Sequence, residues 1–443
     1  MSGVPLPISD KPSATAAGRS VSTDASSPPL AQVAAKLRST MIPLLGELIR
    51  IPSTSGHEKP LVDHTAAWAS QQGFICDLWE TSEQAIAAEP QAKLRHLPLN
   101  GRPTLVIKSP TSHPADGGIM LNAHSDVVAA PQPERWRFGP FSGHIENTLM
   151  FGRGACDTKG PLVSGLWAMA IIQQAFPNGI PGGLHLELIP GEEDCVGLGT
   201  LTSVLRGHTA AAAIVLEPTE GLPRCASRGG CRFTITLTGQ AVHGTVKWLG
   251  KDAIALARDV LEALAAMEKA FSHHDEALFS DYPIGRPITV DNIAGQGWQG
   301  TLCDQCVISG YFELLPNDDL TQWKDAFTQE LLRRLQCHPG AATINFAEEY
   351  PGHRLEPTHP LCQYAHQALA DEGEKLVWQG FNSGCEAGLR AVRMATPTLV
   401  WGPGSLAQAH GINEYVNLHE VEQVALRVAR LAIHWNYQKS GQV

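Results

Sequence analysis

Apolar positions recur along this chain with two periods, one near 3.6 and one near 2. From Val33 the spacing of Leu37, Leu44, Leu45 and Leu48 draws an apolar stripe on a helix, which the run Ile51-Pro52-Ser53-Thr54-Ser55-Gly56 stops. Short apolar runs then each end in a polar residue: Ile119-Met120-Leu121-Asn122 before His124, Leu184 to Ile189 before Glu192, and Ala213 to Leu216 before Glu217. A helical stretch from Pro161 to Phe176 separates the first two, so the pattern predicts a mostly parallel sheet with crossover helices. Ligands of such sheets bind just beyond the carboxyl ends of the strands, where these polar residues fall. Pro397-Thr398-Leu399-Val400-Trp401 reads as a further strand, leading into the loop that carries His410.

The texture changes between Arg224 and Tyr350. Phe233, Ile235 and Leu237 alternate as in a strand, Lys251 to Phe271 is helical, Pro287 to Ile293 and Cys306 to Leu314 are strand-like, Asp318 to Leu335 is helical, and Ala342 to Ala347 alternates again. That order, β-α-β-β-α-β, is ferredoxin-like. The predicted class is therefore α/β: a main domain in two segments, 31–223 and 352–443, with a smaller α+β domain inserted over 224–351. Residues 1–30, rich in Ser, Ala, Pro and Thr, read as a disordered tail.

A chain of 443 residues agrees with two domains, and a formal net charge of -11 argues against nucleic acid or an anionic membrane as partner. The first residues lack the basic-then-apolar order of a secretory signal, and no apolar run is long enough to span a bilayer, so the expected location is the cytoplasm. Ten cysteines lie scattered, mostly in or beside apolar runs, as reduced buried thiols do. Cys303-Asp304-Gln305-Cys306 has zinc-ribbon spacing but lacks the second pair that a ribbon needs.

The candidate chemistry centres on Asp157, in Gly152-Arg153-Gly154-Ala155-Cys156-Asp157-Thr158-Lys159-Gly160. It stands between His124-Ser125-Asp126 and Gly191-Glu192-Glu193-Asp194; with Glu217 and His410 the set reads as a two-zinc hydrolase site. Imidazole and carboxylate suit Zn²⁺, a carboxylate can bridge two cations, and a spare carboxylate must stay unligated to take a proton from water.

These residues resemble the metal-dependent deacylases and peptidases that include acetylornithine deacetylase, succinyl-diaminopimelate desuccinylase, aminoacylase and the glutamate carboxypeptidases. The resemblance runs from about Val33 to the end and is most specific at His124 to Val128, from Trp136 through Gly139-Pro140-Phe141-Ser142-Gly143 to Gly160, and at Gly191-Glu192-Glu193. It implies a catalytic main domain, an inserted lid and dimerisation domain, a homodimer, and two Zn²⁺ per subunit, with Co²⁺ able to substitute. Carried over by position, it makes Asp157 the bridge, His124 and Glu217 ligands of one metal, Glu193 and His410 ligands of the other, and Glu192 the free base. Asp126 would hold the His124 imidazole in its tautomer. His243, in Gly239-Gln240-Ala241-Val242-His243-Gly244, resembles the histidine that reaches across a dimer to a developing oxyanion.

The loop Gly402 to Glu414, Cys385-Glu386-Ala387 and Cys303 lean toward acetylornithine deacetylase-like members, hence toward N-acyl amino acids, with a dipeptidase or carboxypeptidase as the alternative and a non-catalytic ligand-binding relative disfavoured by Glu192. Two positions depart from the family: Gly300 where an asparagine is usual, and Glu313 where an arginine is usual. Both family residues help to hold substrate, and glutamate inverts the charge. Another base, Arg228, Arg232 or Arg390, is then expected to meet a substrate carboxylate, or the substrate carries a cation there.

Overall fold

The computed structural model describes residues 29–80, 83–88, 98–110, 117–194, 197–273, 275–335 and 340–439. The predicted tail, 1–30, falls outside them except for its last two residues, and the first helix already starts at Leu30, behind Pro29. Val33, Leu37, Met41, Leu44, Leu45 and Leu48 are its buried stripe. It packs beside the helix Gly160–Ala175, which is buried on nearly every side because the helices Leu30–Arg50 and Leu418–Lys439 flank it while the sheet lies beneath. Gly165 makes that contact close, since a Cβ there would stand 2.7 Å from Leu216 Cδ1.

The main sheet has six strands, ordered Ile75–Glu80, Pro103–Lys108, Leu184–Ile189, Ile119–His124, Ala212–Val215 and Thr398–Val400. The last four run parallel, as the apolar runs predict. The first two are antiparallel additions that the pattern did not disclose. Ile75–Glu80 is an edge strand with four of its six residues polar, sulfur-bearing or aromatic, and no clean alternation between core and solvent.

The second unit is the four-stranded antiparallel sheet Ile288–Gly295, Gln305–Leu314, Gly229–Thr238 and Ala342–Tyr350, in that spatial order. Phe233, Ile235 and Leu237 turn one face onto the helices Ala253–Phe271 and Leu320–Arg334 and build a core separate from the main one. At the joint, Ala226–Ser227 pairs parallel with Gly380–Phe381 and antiparallel with His353–Arg354. Gly380–Phe381 thereby delivers Asn382, Ser383 and Gly384 to the space between the two units. Among the described residues, no helix is long and apolar enough to cross a membrane.

Candidate metal centre

Each strand of the parallel set leads to one or two residues of a single cluster. His124 ends its strand, Glu192 and Glu193 follow Leu184–Ile189, Glu217 follows Ala212–Val215, and His410 lies in the loop beyond Thr398–Val400. Asp157 enters from the turn before Gly160–Ala175. The two oxygens of Asp157 face different imidazoles: Oδ1 is 3.0 Å from His124 Nε2 and Oδ2 is 3.3 Å from His410 Nε2. His410 Nε2 is also 3.0 Å from Glu193 Oε2, and Glu217 Oε1 is 4.0 Å from His124 Nε2. The sequence-predicted ligands are thus brought together in two halves with one shared carboxylate. Ligand atoms of His124, Asp157 and Glu193 all lie within 4.8 Å of one another.

Four carboxylates converge on two imidazoles, and the electrostatics follow. Burial, reinforced by mutual repulsion, pushes the Glu192, Glu193 and Glu217 carboxyls upward against the pull of the histidines. Burial would also raise Asp157, but hydrogen bonds from both imidazoles outweigh it and hold Asp157 well below the usual carboxylate range. Hydrogen bonds to Asp157 and Glu193 raise His410 to about 11. This excess of negative charge also favours divalent cations. His124 fits that role: the Asp126 carbonyl, 2.8 Å away, accepts from Nδ1–H, which leaves Nε2 as the nitrogen that faces the cluster and would ligate a cation. Glu193 Oε1 fits it too, being buried with no hydrogen-bond partner among the described residues.

Asp126 meets His124 with its backbone and the next segment with its side chain. Its main-chain carbonyl holds His124, while its carboxylate accepts from the amides of Gly191 (2.9 Å), Glu192 (3.3 Å) and Glu193 (3.1 Å). A buried carboxylate takes several N–H donors in a tight turn, and here it fixes the segment that carries both glutamates. Two further anchors had no role in the sequence reading. Glu414 is buried and accepts from the amides of Gly154, Cys156 and Asp157 and from Arg153 Nη1 at 2.7 Å, so it shapes the Asp157 turn. Arg102 bridges Glu58 and Asp194 beside the Glu192–Glu193 segment. Their spacing in sequence offers no periodic or motif signal for these long-range contacts.

A cavity of about 260 Å³ opens over the cluster, lined by Asp157, Glu192, Glu193, Glu217, His410 and Tyr311, and by Phe381 to Gly384 with Leu406 and Ala409. Glu313 does not line it. Tyr311, two residues earlier on the same strand face, does; Glu313 lies buried behind the Ser383–Gly384 backbone, accepting from Tyr350 Oη at 3.1 Å, with burial pushing its carboxyl up to about 7. Gly384 permits this, since a Cβ there would stand 2.2 Å from the Tyr350 ring. The bases expected to replace a family arginine are committed elsewhere: Arg390 to Glu187 beneath the sheet, Arg232 to Asp291 and Glu348, and Arg228 to Asn382, Ile284 and Gly285.

His243 is not part of this cluster within the chain. It sits exposed at the far tip of the insert, its Nδ1 2.8 Å from Thr245 Oγ1, and bridges to Thr301 next to Gly300.

The family model for peptidase family M20/M25/M40 matches residues 120–434. Among curated relatives, N-formyl-4-amino-5-aminomethyl-2-methylpyrimidine deformylase of Bacillus subtilis is 25% identical over 415 residues, covering 85% of this chain and 89% of the relative. Acetylornithine deacetylase of Pasteurella multocida is 23% identical over 384 residues, covering 86% and 92%. In fold, the chain is similar to the dipeptidase Dug1p of Saccharomyces cerevisiae, with a TM-score of 0.74 at 14% identity over 92% of this chain and 98% of that one.

Proposed function

The chain belongs to peptidase family M20/M25/M40 and is a hydrolase of amide bonds, and from that premise we propose a two-metal amidohydrolase that removes the acyl group from N-acyl amino acids. The observation that carries the reading is the division of Asp157 between His124 and His410. His124 and Glu217 would hold one divalent ion and Glu193 and His410 the other, with Asp157 shared; Zn²⁺ is the proposed ion, with Co²⁺ as a substitute. Bound there, such ions acidify water and polarise an amide carbonyl.

The chain's own residues do the rest. Glu192 lines the cavity and, among the described residues, its carboxylate bonds to no side chain, so it is free to take a proton from water and return it to the leaving nitrogen. Asp126 sets the position of that carboxylate through the Glu192 amide. Tyr311 and the Asn382–Gly384 backbone wall the cavity and orient substrate.

The insert is proposed as lid and dimerisation domain, with His243 acting in the partner subunit's site. Its exposed position supports this, as do the exposed Trp248, Leu249, Ile254, Ile293 and Trp298 on the same unit. The buried free thiols of Cys156, Cys225, Cys231, Cys362 and Cys385 support a reducing compartment, the cytoplasm.

A second reading rests on the cavity lining, which among the described residues contains no arginine or lysine. A neutral N-acyl aminomethyl heterocycle, like the formyl compound in the name of the Bacillus subtilis relative, needs no such base. The test is hydrolysis of a panel of N-acyl amino acids, dipeptides and an N-formyl aminomethylpyrimidine, with chelated and with Zn²⁺- or Co²⁺-loaded protein. Turnover of acyl amino acids by loaded protein alone supports the first reading. Turnover confined to the formyl heterocycle moves the chain to the second, and turnover confined to dipeptides makes it a peptidase.

A further inference from the structure

Beside the metal cavity lies a second one of about 170 Å³, lined by Pro218, Thr219, Glu220, Arg224, Tyr282 and Ser405 together with Phe381, Asn382 and Leu406. The last three residues line both cavities, so the two adjoin along them. It starts one residue beyond Glu217, and Ser405 precedes His410 in the same loop.

Arg224 is the cation here. Its side chain is 7% exposed, fixed by backbone pairing of Arg224 with Val400, and among the described residues its hydrogen-bond partner is the neutral Gln379 Oε1. The nearest carboxylate, Glu220 Oε2, is 3.8 Å away, beyond hydrogen-bond distance, on a side chain that is 63% exposed and accepts from Ser405 Oγ. Asp281 is engaged with Gln379 Nε2 at 2.6 Å. A guanidinium has five N–H donors in a planar fork, so most of Arg224's remain for a ligand. Asn382 points the same way: Arg228 donates twice to its Oδ1, at 3.0 and 2.7 Å, which leaves its amide N–H groups for the cavities.

Among the described residues, the metal cavity itself is lined by four carboxylates and no arginine or lysine. We infer that the second cavity is the substrate's carboxylate subsite, with Arg224 as its bidentate partner and Asn382 as a further donor. The substrate then carries an anionic group reaching past Asn382 from the scissile amide. The exposed Glu220 yields by turning to solvent. This inference rests on the amidohydrolase reading for the identity of the scissile bond.

Two matched pairs test it: N-succinylbenzylamine against its succinamoyl counterpart, with the acid on the acyl side, and N-acetylphenylalanine against its amide, with the acid on the amine side. The ratio of kcat/KM, acid over amide, is compared in wild type, Arg224→Gln and Arg224→Lys with metal loaded. In at least one pair, Arg224→Gln is expected to lower that ratio roughly tenfold or more, the loss of a charge-assisted contact, and Arg224→Lys to restore part of it. Unchanged ratios in both pairs would overturn the inference while leaving the amidohydrolase reading intact. If loaded wild type cleaves none of the four, that reading fails instead. Calorimetric binding of the same compounds to wild type and Arg224→Gln then decides the subsite separately, by the same acid-over-amide ratio.

Discussion

Glu192 and Glu193 are adjacent in sequence and opposite in surroundings. Glu193 Oε2 meets His410 at 3.0 Å, whereas the Glu192 carboxylate faces the cavity with no side-chain bond among the described residues. Glu193→Gln should therefore lose metal and activity together. Glu192→Gln should keep metal and lose turnover by roughly 10²–10⁴-fold, the usual worth of a general acid–base group. Metal analysis beside rate measurement separates them, and near-normal turnover of Glu192→Gln would remove it from the mechanism. At this scale the residue types disclosed which side chains the structure gathers into one cluster, because metal chemistry restricts which side chains can appear. They did not disclose which atoms act. Asp126 works through its carbonyl on His124 and through its carboxylate on three amides, and Glu313 stands behind a loop rather than in the cavity. Asp126→Asn places an amide N–H₂ against those donors. It should cost about 1–3 kcal/mol by denaturant unfolding and lower kcat.

Among the elements, the apolar runs that end in His124, Glu192 and Glu217 were legible because buried parallel strands are continuously apolar. The strands Ile75–Glu80 and Pro103–Lys108 were not, since one is an edge and the other opens on a proline. Nor was the polar layer beneath the sheet, where Asn122 and Arg390 both donate to Glu187 and Glu386 accepts from the Gly197 amide at 2.7 Å at the start of the helix Leu198–Leu205. Such contacts span up to 203 residues and leave no local pattern. Burial raises the Glu386 carboxyl to about 7. A carboxyl raised on folding holds its proton more tightly in the native state. Its ionisation therefore adds no cost below about pH 4.5, and that cost grows as pH climbs to about 7, reaching about 3 kcal/mol. Glu386→Gln keeps an acceptor for Gly197 without the charge. In chelated protein its Tm should exceed wild type at pH 8 and converge with it near pH 4.5; a gap independent of pH would show that Glu386 is not the group responsible.

For the whole molecule, the two-unit architecture followed from the switch between sheet-and-crossover and β-α-β-β-α-β patterning. The placement of His243 at the far tip of the insert did not. A site completed by the partner predicts complementation: Glu192→Ala and His243→Ala proteins, each inactive, should regain activity after subunit exchange, since one site of the heterodimer then holds both residues. Heterodimers without activity would assign His243 to its own chain or to no catalytic role. The central claim, two divalent ions held on either side of Asp157, is tested most directly by counting. Chelated protein is titrated with Zn²⁺, and bound metal and hydrolysis of an N-acyl amino acid are read together in wild type and Asp157→Ala. The account predicts two equivalents per chain in wild type, activity that returns with them, and loss of both paired binding and turnover in Asp157→Ala. One equivalent unaffected by Asp157→Ala, or full turnover by metal-free protein, would contradict it.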